Sequence, residues 1–338
     1  MPPELQQLLR ETSRSFYLTV RILPGSVRTQ IGLAYLLARA TDTVADTGWV
    51  PVEVRLQALA ALRQRILGRT RTAVDFSSLL AATPSGGGVS LDSERRLLLR
   101  VEDAVRLMEG CEPEEVALIR RVLDVITGGQ ELDLERFELG EPGSLRSLAT
   151  ADDLEDYTYR VAGCVGEFWT HLTRRRVFPG ATINDRAFLD DGVRFGKGLQ
   201  YVNILRDLPR DLAAGRCYVP ADGLAKLGLM PRDLQDPTKE TVFRPLYDAL
   251  LAHALEHLRA GWRYTNQIPR GQFRLRLACA WPVLLGVRTV AKLRREAVLD
   301  PSRRIKVTRP EVRSVLLGTI TRLPFRGAWE RQFDEALR

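Results

Sequence analysis

The sequence lacks any uninterrupted apolar run near the roughly 18 residues that a membrane-spanning helix needs, although 45% of its 338 residues are hydrophobic. The N-terminus, MPPELQQLLRETSRSF, has neither a basic start followed by an apolar block nor a small-residue cleavage site. These absences argue against a membrane-spanning protein and against a secretory signal. A cytoplasmic protein is therefore expected.

Cysteine is also scarce, with only four residues in the chain. They never occur at two- or three-residue spacing, which excludes a zinc ribbon and argues against a disulfide scaffold. They are Cys111, Cys164, Cys217 and Cys279.

Histidine occurs three times, and two of the three lie in a segment that matches the H-x-x-E-H pattern of some metalloproteases. This segment runs from His253 through Glu256 to His257. A five-residue match has little specificity, so a surface helix is the favoured interpretation.

Strand-like alternation is rare, whereas apolar residues recur with helical period along most of the chain, so the sequence predicts an all-α protein. No composition break marks a second domain, and we expect a single domain over 1–338 with its core at about 13–312. Thr150 and Asp153 predict a capping box, and PSGGG at 84–88 predicts a flexible surface connection. A second loop is expected at 138–149. The predicted helices span about 4–20, 26–46, 52–67, 92–109, 113–128, 151–173, 185–208, 242–265, 273–298 and 309–320.

The predicted helix at 26–46 is apolar on nearly every side, which is typical of a helix buried all round. Tyr35, Arg39, Asp42 and Asp46 share the one polar stripe, because they follow steps of four, three and four. We therefore expect two carboxylates inside a core. Burying such a pair is costly unless a cation or hydrogen-bond donors compensate, and Arg39 can neutralise only one of them.

A second polar stripe follows the predicted helix that contains residues 196–211. Gln200, Asn203, Asp207 and Asp211 step by three, four and four. Pro209 lacks a backbone donor and is expected to bend or end this helix before Asp211.

Each stripe offers an Asp-x-x-x-Asp pair, whose carboxylates lie on one helix face close enough to bind hard cations. Mg²⁺ prefers one or two carboxylates together with phosphate oxygens, which favours a metal–diphosphate site. The net charge of +8 indicates an anionic partner, and arginines near both stripes can clamp phosphate. The alternative for either pair alone is a solvated helix face. The flanking arginines are Arg14, Arg39, Arg206 and Arg216.

A third Asp-x-x-x-Asp, formed by Asp152 and Asp156, is interpreted as a helix N-terminal pair that favours the positive end of the macrodipole. The segment after it, YTYRVAGCVG at 157–166, has small residues that permit close helix approach or leave room for a ligand. On its own, Tyr157 is consistent with an ordinary core tyrosine.

Together these segments resemble the squalene/phytoene synthase family, the head-to-head branch of the trans-isoprenyl diphosphate synthases. The resemblance runs from about 13 to 312 and includes four motifs. The motifs are SRSF at 13–16, YLLARATDTVAD at 35–46, YTYRVAGCVG at 157–166 and LQYVNILRDLPRDLAAGRCYVP at 199–220. It implies the isoprenoid synthase fold, a single helical bundle around a deep apolar cavity that the aspartate-rich helices face.

The resemblance also implies roles for individual residues. Tyr157 matches the catalytic tyrosine of the family. Mg²⁺ ions that bridge to the diphosphates would be held by Asp42, Asp46, Asp207 and Asp211, which share the catalytic role. Substrate diphosphates would be positioned by Ser13, Arg14, Ser15, Tyr35, Arg39, Gln200, Asn203, Arg206 and Arg216.

Two features favour a squalene synthase, an enzyme of sterol or hopanoid biosynthesis, within this family. The first motif reads D-T-x-x-D, and ACAWP at 278–282 resembles the squalene synthase segment that ends in proline. NADPH would then reduce the presqualene diphosphate intermediate, and Arg304 and Lys306 are candidate contacts for NADPH. The alternative for these two residues is a solvated basic loop. Arg210 departs from the family pattern, which usually has an acidic residue there.

The expected substrate is farnesyl diphosphate rather than nucleic acid, with peripheral contact to a membrane as a further expectation. The nearest alternative is a phytoene, dehydrosqualene or presqualene diphosphate synthase that uses no NADPH. An alternative from another class is a non-catalytic basic helical binding protein. Retention of all four aspartates argues against that last alternative.

Overall fold

The computed structural model describes residues 1–13, 16–82, 88–139 and 144–338, without the side chains of 88–90. Arg14, Ser15, residues 84–87 of the predicted connection at 84–88 and residues 140–143 of the predicted loop at 138–149 lie outside the described residues. The helices are α1 (Pro3–Ser13), α2 (Phe16–Ile22), α3 (Gly25–Ala45), α4 (Val52–Ile66), α5 (Ser77–Ala82), α6 (Gly88–Leu99), α7 (Val101–Glu109), α8 (Pro113–Phe137), α9 (Ala151–Thr158), α10 (Cys164–Arg176), α11 (Asp185–Ala213), α12 (Ala221–Ala225), α13 (Glu240–Gln267), α14 (Phe273–Leu293), α15 (Arg309–Arg322), α16 (Arg326–Glu330) and α17 (Gln332–Leu337).

Other regular structure is confined to short segments. A π-helical turn at Tyr159–Gly163 joins α9 to α10, and 3₁₀ turns span Pro231–Gln235 and Pro237–Lys239. Among the described residues the β structure is one parallel pair, β1 (Arg146–Ser147) with β2 (Arg216–Cys217). This content confirms the all-α prediction. No helix in the described part of the chain is long and apolar enough to cross a bilayer.

The described residues divide into two compact units. Unit 1 contains residues 1–139 and 171–179, and unit 2 contains 140–170 and 180–338. Whether the chain functions as a single domain stays a prediction.

Unit 1 is built around α3, which packs against α1, α4, α7 and α8. Leu33, Leu36, Leu37, Ala40 and Val44 are fully buried. Each buried leucine contributes about 1.5–3 kcal/mol relative to an exposed one, so this helix accounts for much of the core energy of the unit. The prediction that α3 is buried on most of its circumference is therefore confirmed.

The helix α8 continues beyond residue 128, where the sequence predicted its end, to Phe137. Arg63 of α4 lies across Gly128 and contacts Asp124 at 2.7 Å and Glu131 at 2.5 Å, one turn on either side. These ion pairs compensate for the low helix propensity of the Gly128–Gly129 pair.

Two other predicted boundaries are wrong. The helix expected at 92–109 breaks at Arg100, whose φ of −114° and ψ of 9° are not helical. The described parts of the helix expected at 4–20 are α1 and α2, and both are helical as predicted. The helix expected to reach 298 ends at Leu293. Apolar periodicity continues across such breaks, so it does not reveal them. Short helices α5, α12, α16 and α17 were also not predicted.

Unit 2 is centred on the long helices α11 and α13, which pack along each other. Glycines allow the close approach: a Cβ on Gly198 would lie 2.9 Å from the Cβ of His257, and one on Gly261 would lie 2.9 Å from the ring of Phe195. The buried residues of α14 complete this core.

Pro209 does not end α11, which was one of the two effects expected of it, and Asp211 lies within the helix. The helix runs to Ala213, so Asp211 follows Asp207 by one helical turn. Proline leaves the carbonyl of Leu205 without its usual i→i−4 donor, and the hydroxyl of Tyr247 on α13 donates to that carbonyl at 3.0 Å. Tyr247 is fully buried, and it substitutes for the missing backbone hydrogen bond.

Candidate active site

The last two turns of α3 carry the first acidic pair. Arg39 bridges two carboxylates, because one guanidinium nitrogen contacts Asp42 and the other donates to Glu94 of α6 at 2.6 Å. The side chain of Asp42 is 41% exposed, and Asp46 is exposed. The expectation of two carboxylates inside a core is therefore wrong: they lie on the polar stripe of a helix whose other faces are buried.

The electrostatics of this pair nevertheless favour a cation. Partial removal from water, followed by the charge of Asp46 and then that of Glu94, raises the pKa of Asp42 to about 6, against the lowering effect of Arg39. Asp42, Asp46 and Glu94 thus form a group of three electrostatically interacting carboxylates. Their oxygen-only donor set suits a hard ion such as Mg²⁺.

Tyr35 connects this stripe to the end of α1. Its hydroxyl donates to the carbonyl of Thr12 at 3.1 Å, and its ring stacks on Phe16 with centroids 4.9 Å apart. The first two motifs therefore meet within unit 1. Ser13 is buried, and its hydroxyl bonds to the carbonyl of Leu9 in its own helix, so its side chain serves the helix end in this structure.

The second acidic pair lies on α11 in unit 2. Arg206 forms a two-pronged contact with the adjacent Asp207, at 2.9 Å from Nε and 2.5 Å from Nη2. The pKa of Arg206 is raised by this hydrogen bond despite desolvation, with further contributions from the charges of Asp207 and Asp211. Each carboxylate oxygen still has a further lone pair, so Asp207 can bind a cation while it contacts Arg206.

Gln200 and Asn203 lie on the same stripe of α11. The amide nitrogen of Asn203 is 3.4 Å from the amide oxygen of Gln200, and Asn203 is exposed. This long contact leaves both amides with hydrogen-bonding capacity for a ligand. The predicted stripe on α11 is thus confirmed as a helix face.

Tyr157 lies in the last turn of α9, and its ring stacks on Tyr218 with centroids 4.7 Å apart. Arg216 precedes Tyr218 by two residues, so the stacking places Tyr157 beside the segment that contains Arg216. The capping box formed by Thr150 and Asp153 at the start of α9 is confirmed. Tyr157 and Arg216 therefore both lie at the segment 216–218 of unit 2.

Small residues hold the π-helical turn and α10 directly against α11. A Cβ on Gly166 would lie 1.9 Å from the carbonyl oxygen of Gly192, and one on Gly196 would lie 2.1 Å from that of Ala162. Close approach, one of the two uses predicted for these residues, is confirmed. In the third Asp-x-x-x-Asp, Asp152 lies in the first turn of α9 as expected, whereas Asp156 lies beyond that turn and pairs with Arg160 at 2.7 Å.

Arg304 and Lys306 lie in the segment between α14 and α15, and both are exposed. The carbonyl of Lys306 accepts from Lys292 at 3.2 Å. Their charge suits a phosphate contact.

Sequence reasoning missed the partners of the predicted residues. Glu94 has no periodic signal that links it to Arg39, because the two are 55 residues apart. Tyr218 lies within a motif, but its stacking on Tyr157 joins residues 61 positions apart, and no sequence pattern indicates that contact. Tyr247 and Glu155 were likewise not singled out.

This arrangement defines a class of protein: an all-helical enzyme of the isoprenoid synthase fold, with acidic pairs and arginines suited to a metal–diphosphate. The model of the squalene/phytoene synthase family matches residues 9–311, and the chain belongs to that family. Its members are prenyltransferases.

Curated relatives include both named branches. Squalene synthase ERG9 of Saccharomyces cerevisiae is 26% identical over 286 residues, which cover 84% of this chain and 60% of the yeast protein. The bifunctional lycopene cyclase/phytoene synthase of Blakeslea trispora is 31% identical over 226 residues, which cover 65% of this chain and 32% of that protein. The chain thus spans less than two thirds of the length of either relative.

Solved structures agree on the fold. A complex of TcSQS with the ligand E5700 has a TM-score of 0.75 at 22% identity and covers 99% of this chain and 96% of its own. A dehydrosqualene synthase complex has a TM-score of 0.65 at 20% identity, with 95% of each chain covered. Squalene synthase HpnC from Alicyclobacillus acidocaldarius has a TM-score of 0.60 at 18% identity and covers 87% of this chain and 96% of its own.

Proposed function

We propose that this protein is a squalene synthase, which condenses two farnesyl diphosphates head to head to presqualene diphosphate and reduces that intermediate with NADPH. The observation that carries the proposal is the pair of Asp-x-x-x-Asp stripes, each with an adjacent arginine, in a chain of the squalene/phytoene synthase family. The D-T-x-x-D form of the first stripe and the ACAWP segment support this member of the family.

The proposed metal ligands are Asp42 and Asp46 in unit 1 and Asp207 and Asp211 in unit 2. The proximity of Asp46 and Glu94 to Asp42 fits a divalent cation, because their like charges raise the pKa of Asp42 and a bound cation would offset them. When bound, Mg²⁺ supplies Lewis-acid stabilisation of the departing diphosphate. Glu94 would act by holding Arg39 in place.

Arginine side chains of this chain would share that task. Arg39 and Arg206 are held by carboxylates in defined orientations, so little side-chain freedom is lost when they bind phosphate oxygens. Arg14 and Arg216 are proposed as further phosphate contacts. Such charges, fixed before the reaction, provide electrostatic stabilisation of the leaving group without reorganisation.

Tyr157 is the proposed catalytic residue in unit 2. Its ring lies flat against Tyr218, which fixes the plane of the phenol. A fixed aromatic ring can stabilise an allylic cation through its face, and the hydroxyl can assist proton removal on the way to the cyclopropyl intermediate. Water has to be excluded while that cation exists.

Product analysis tests the proposal. Purified protein is incubated with farnesyl diphosphate and Mg²⁺, with and without NADPH, and the lipids are extracted and identified. We expect squalene with NADPH and presqualene diphosphate without it. Dehydrosqualene or presqualene diphosphate as the only product despite NADPH would contradict the proposal.

The role of the basic segment after α14 is tested separately. Arg304→Gln with Lys306→Gln should raise the KM for NADPH and leave the rate of presqualene diphosphate formation unchanged. Arg303→Gln, a neighbouring exposed arginine paired with Glu296 and Asp300, is the control. An unchanged KM in the double variant would assign these charges to a solvated loop.

Peripheral contact with an anionic bilayer is part of the proposal, because the substrate and product chains are apolar. Leu317 and Ile320 share one exposed face of α15, at 63% and 48% exposure, and Phe325 follows at 65%. Arg313 and Arg326 are exposed beside them and complement anionic headgroups.

Vesicle flotation measures this contact. Leu317→Ser with Ile320→Ser should reduce binding to vesicles that contain phosphatidylserine. A matched control, Met230→Ser with Val242→Ser, removes apolar side chains of similar exposure elsewhere in unit 2. Equal binding of both double variants would exclude this surface.

A further inference from the structure

A cluster of three potential metal ligands lies in unit 2, apart from the residues assigned above. Nε2 of His253 is 2.7 Å from Oε1 of Glu155 and 3.1 Å from Nε2 of His257, and the third side of the triangle, from His257 to Glu155, is 3.6 Å. The histidines lie one turn apart on α13, and Glu155 lies on α9. The favoured interpretation of the H-x-x-E-H segment as a surface helix is therefore wrong for His257, which is buried.

The motif glutamate has no part in this cluster. Glu256 is exposed on α13, and the carboxylate comes instead from Glu155, 98 residues before His253. The metalloprotease arrangement, which needs the glutamate of the motif itself, is thus not formed. The two histidines of the motif instead share a carboxylate from another helix.

The separations fit one first-row metal ion. Three atoms with these spacings lie on a circle of radius about 1.9 Å, so an ion at a zinc–ligand distance of about 2.0–2.1 Å can contact all three from just above their plane. Two imidazole nitrogens and one carboxylate oxygen are a typical donor set for zinc with an open position. His253, with 43% of its side chain exposed, gives that position access to water.

The tautomer that His257 has to adopt also favours metal binding. Without a metal, Nε2 of His253 contacts both the carboxylate of Glu155 and Nε2 of His257, and it has one proton to donate to them. Nε2 of His257 then acts as an acceptor, so the proton of a neutral His257 lies on Nδ1. That Nδ1 is buried, and no hydrogen-bond partner for it occurs among the described residues. The same tautomer directs the Nε2 lone pair of His257 into the cluster, as metal binding requires.

The surroundings orient the carboxylate. Lys197 donates to Oε2 of Glu155 at 2.6 Å, and the hydroxyl of Tyr201 donates to Oε1 at 2.6 Å. Although burial opposes ionisation, the hydrogen bonds from His253, Lys197 and Tyr201 lower the pKa of Glu155, and burial lowers the pKa of His257. Glu155 and His257 are therefore in their metal-binding forms at neutral pH. The positive charges of Lys197 and Arg194 act against a cation and set an upper limit on its affinity.

We infer that Glu155, His253 and His257 form a zinc-type metal site that joins α9 to α13. Glu155 precedes Tyr157 by two residues, so the bound ion fixes the helix that carries the proposed catalytic tyrosine. The site takes a borderline ion such as Zn²⁺ rather than Mg²⁺, since two of its ligands are imidazoles. The inference stands independently of the reaction that the enzyme catalyses.

Metal titration tests it on the full chain, stripped of metal by chelation and then titrated with Zn²⁺ in a large excess of Mg²⁺, which occupies the all-carboxylate sites. We expect one Zn²⁺ per chain and a rise in the thermal unfolding midpoint. His253→Gln removes a half-exposed ligand and should weaken binding at least about 100-fold. The control, Glu256→Gln on the same helix, should bind like the wild type.

Equal Zn²⁺ affinity of wild type and His253→Gln would overturn the site. X-ray absorption of the wild-type zinc adduct gives a readout that needs no variant: two imidazoles and oxygen ligands are expected, whereas sulfur or oxygen alone would contradict the inference. Absence of binding in the wild type would show that the cluster is only a hydrogen-bonded group.

Discussion

Replacing Tyr247 by phenylalanine should weaken α11 at the turn that presents Asp211. The change removes only the hydroxyl that donates to the Leu205 carbonyl at 3.0 Å. Leu205 is 1% exposed, so its carbonyl would be left buried without a partner, because Pro209 has no N–H to offer. Leaving a buried polar group unsatisfied costs about 1–3 kcal/mol.

A double-mutant cycle isolates this contribution. Pro209→Ala restores the backbone N–H that donates to the Leu205 carbonyl in a regular helix, so Tyr247→Phe should cost less in that background. We expect a coupling of about 1–2 kcal/mol between the two substitutions, measured from urea unfolding curves of all four proteins.

Tyr264→Phe is the matched control, since it also removes a buried tyrosine hydroxyl, which lies 3.1 Å from the hydroxyl of Thr170. Its cost should be the same with proline or alanine at position 209. If Tyr247→Phe costs equally in both backgrounds, the hydroxyl does not replace the missing backbone donor, and the explanation of the unbroken helix is refuted.

Two further predictions concern packing and capping. Gly166→Ala should destabilise the protein by more than about 2 kcal/mol, because the new Cβ would lie 1.9 Å from the Gly192 carbonyl oxygen, whereas Gly180→Ala, with nothing within 4 Å, should be neutral in the same unfolding assay. Glu311→Gln should cost about 1 kcal/mol or less at pH 7 after allowance for solvent screening, since Lys292 and then Thr308 lower the pKa of Glu311 to about 2. A folded-state pKa below the unfolded one contributes stability above about pH 4.5 that is lost as the pH falls toward 2, so the difference from wild type should shrink on acidification; a difference that grows would contradict this assignment.

The residues of both acidic stripes could be predicted from spacing, because a helix places every third or fourth side chain on one face. Whether these residues are buried or exposed could not be predicted from spacing. The apolar circumference of α3 indicated a buried helix, yet the side chain of Asp42 is 41% exposed, since the stripe that carries it lies outside the core of its unit. Periodicity identifies a face but not what covers it.

Contacts between residues distant in sequence account for the other errors. The helix-ending effect of Pro209 is a local rule, and it is overridden by Tyr247, 42 residues from the carbonyl that it satisfies. The H-x-x-E-H segment indicated a local metal motif, whereas its histidines meet a carboxylate 98 residues away. No pattern within a single helix contains such information.

The central claim is the proposal that the acidic pair at the end of α3 and the acidic pair on α11 each bind divalent metal ions that allow diphosphate to depart. Its most direct test is the Mg²⁺-dependent rate of diphosphate release from farnesyl diphosphate. Asp42→Asn and Asp207→Asn keep the shape and remove the charge, so each should lower the rate at least about 100-fold with the fold intact by circular dichroism. Asp152→Asn, taken from the structural pair with the same spacing, should retain the wild-type rate. Near-normal release by either Asp42→Asn or Asp207→Asn at saturating Mg²⁺ would contradict the claim.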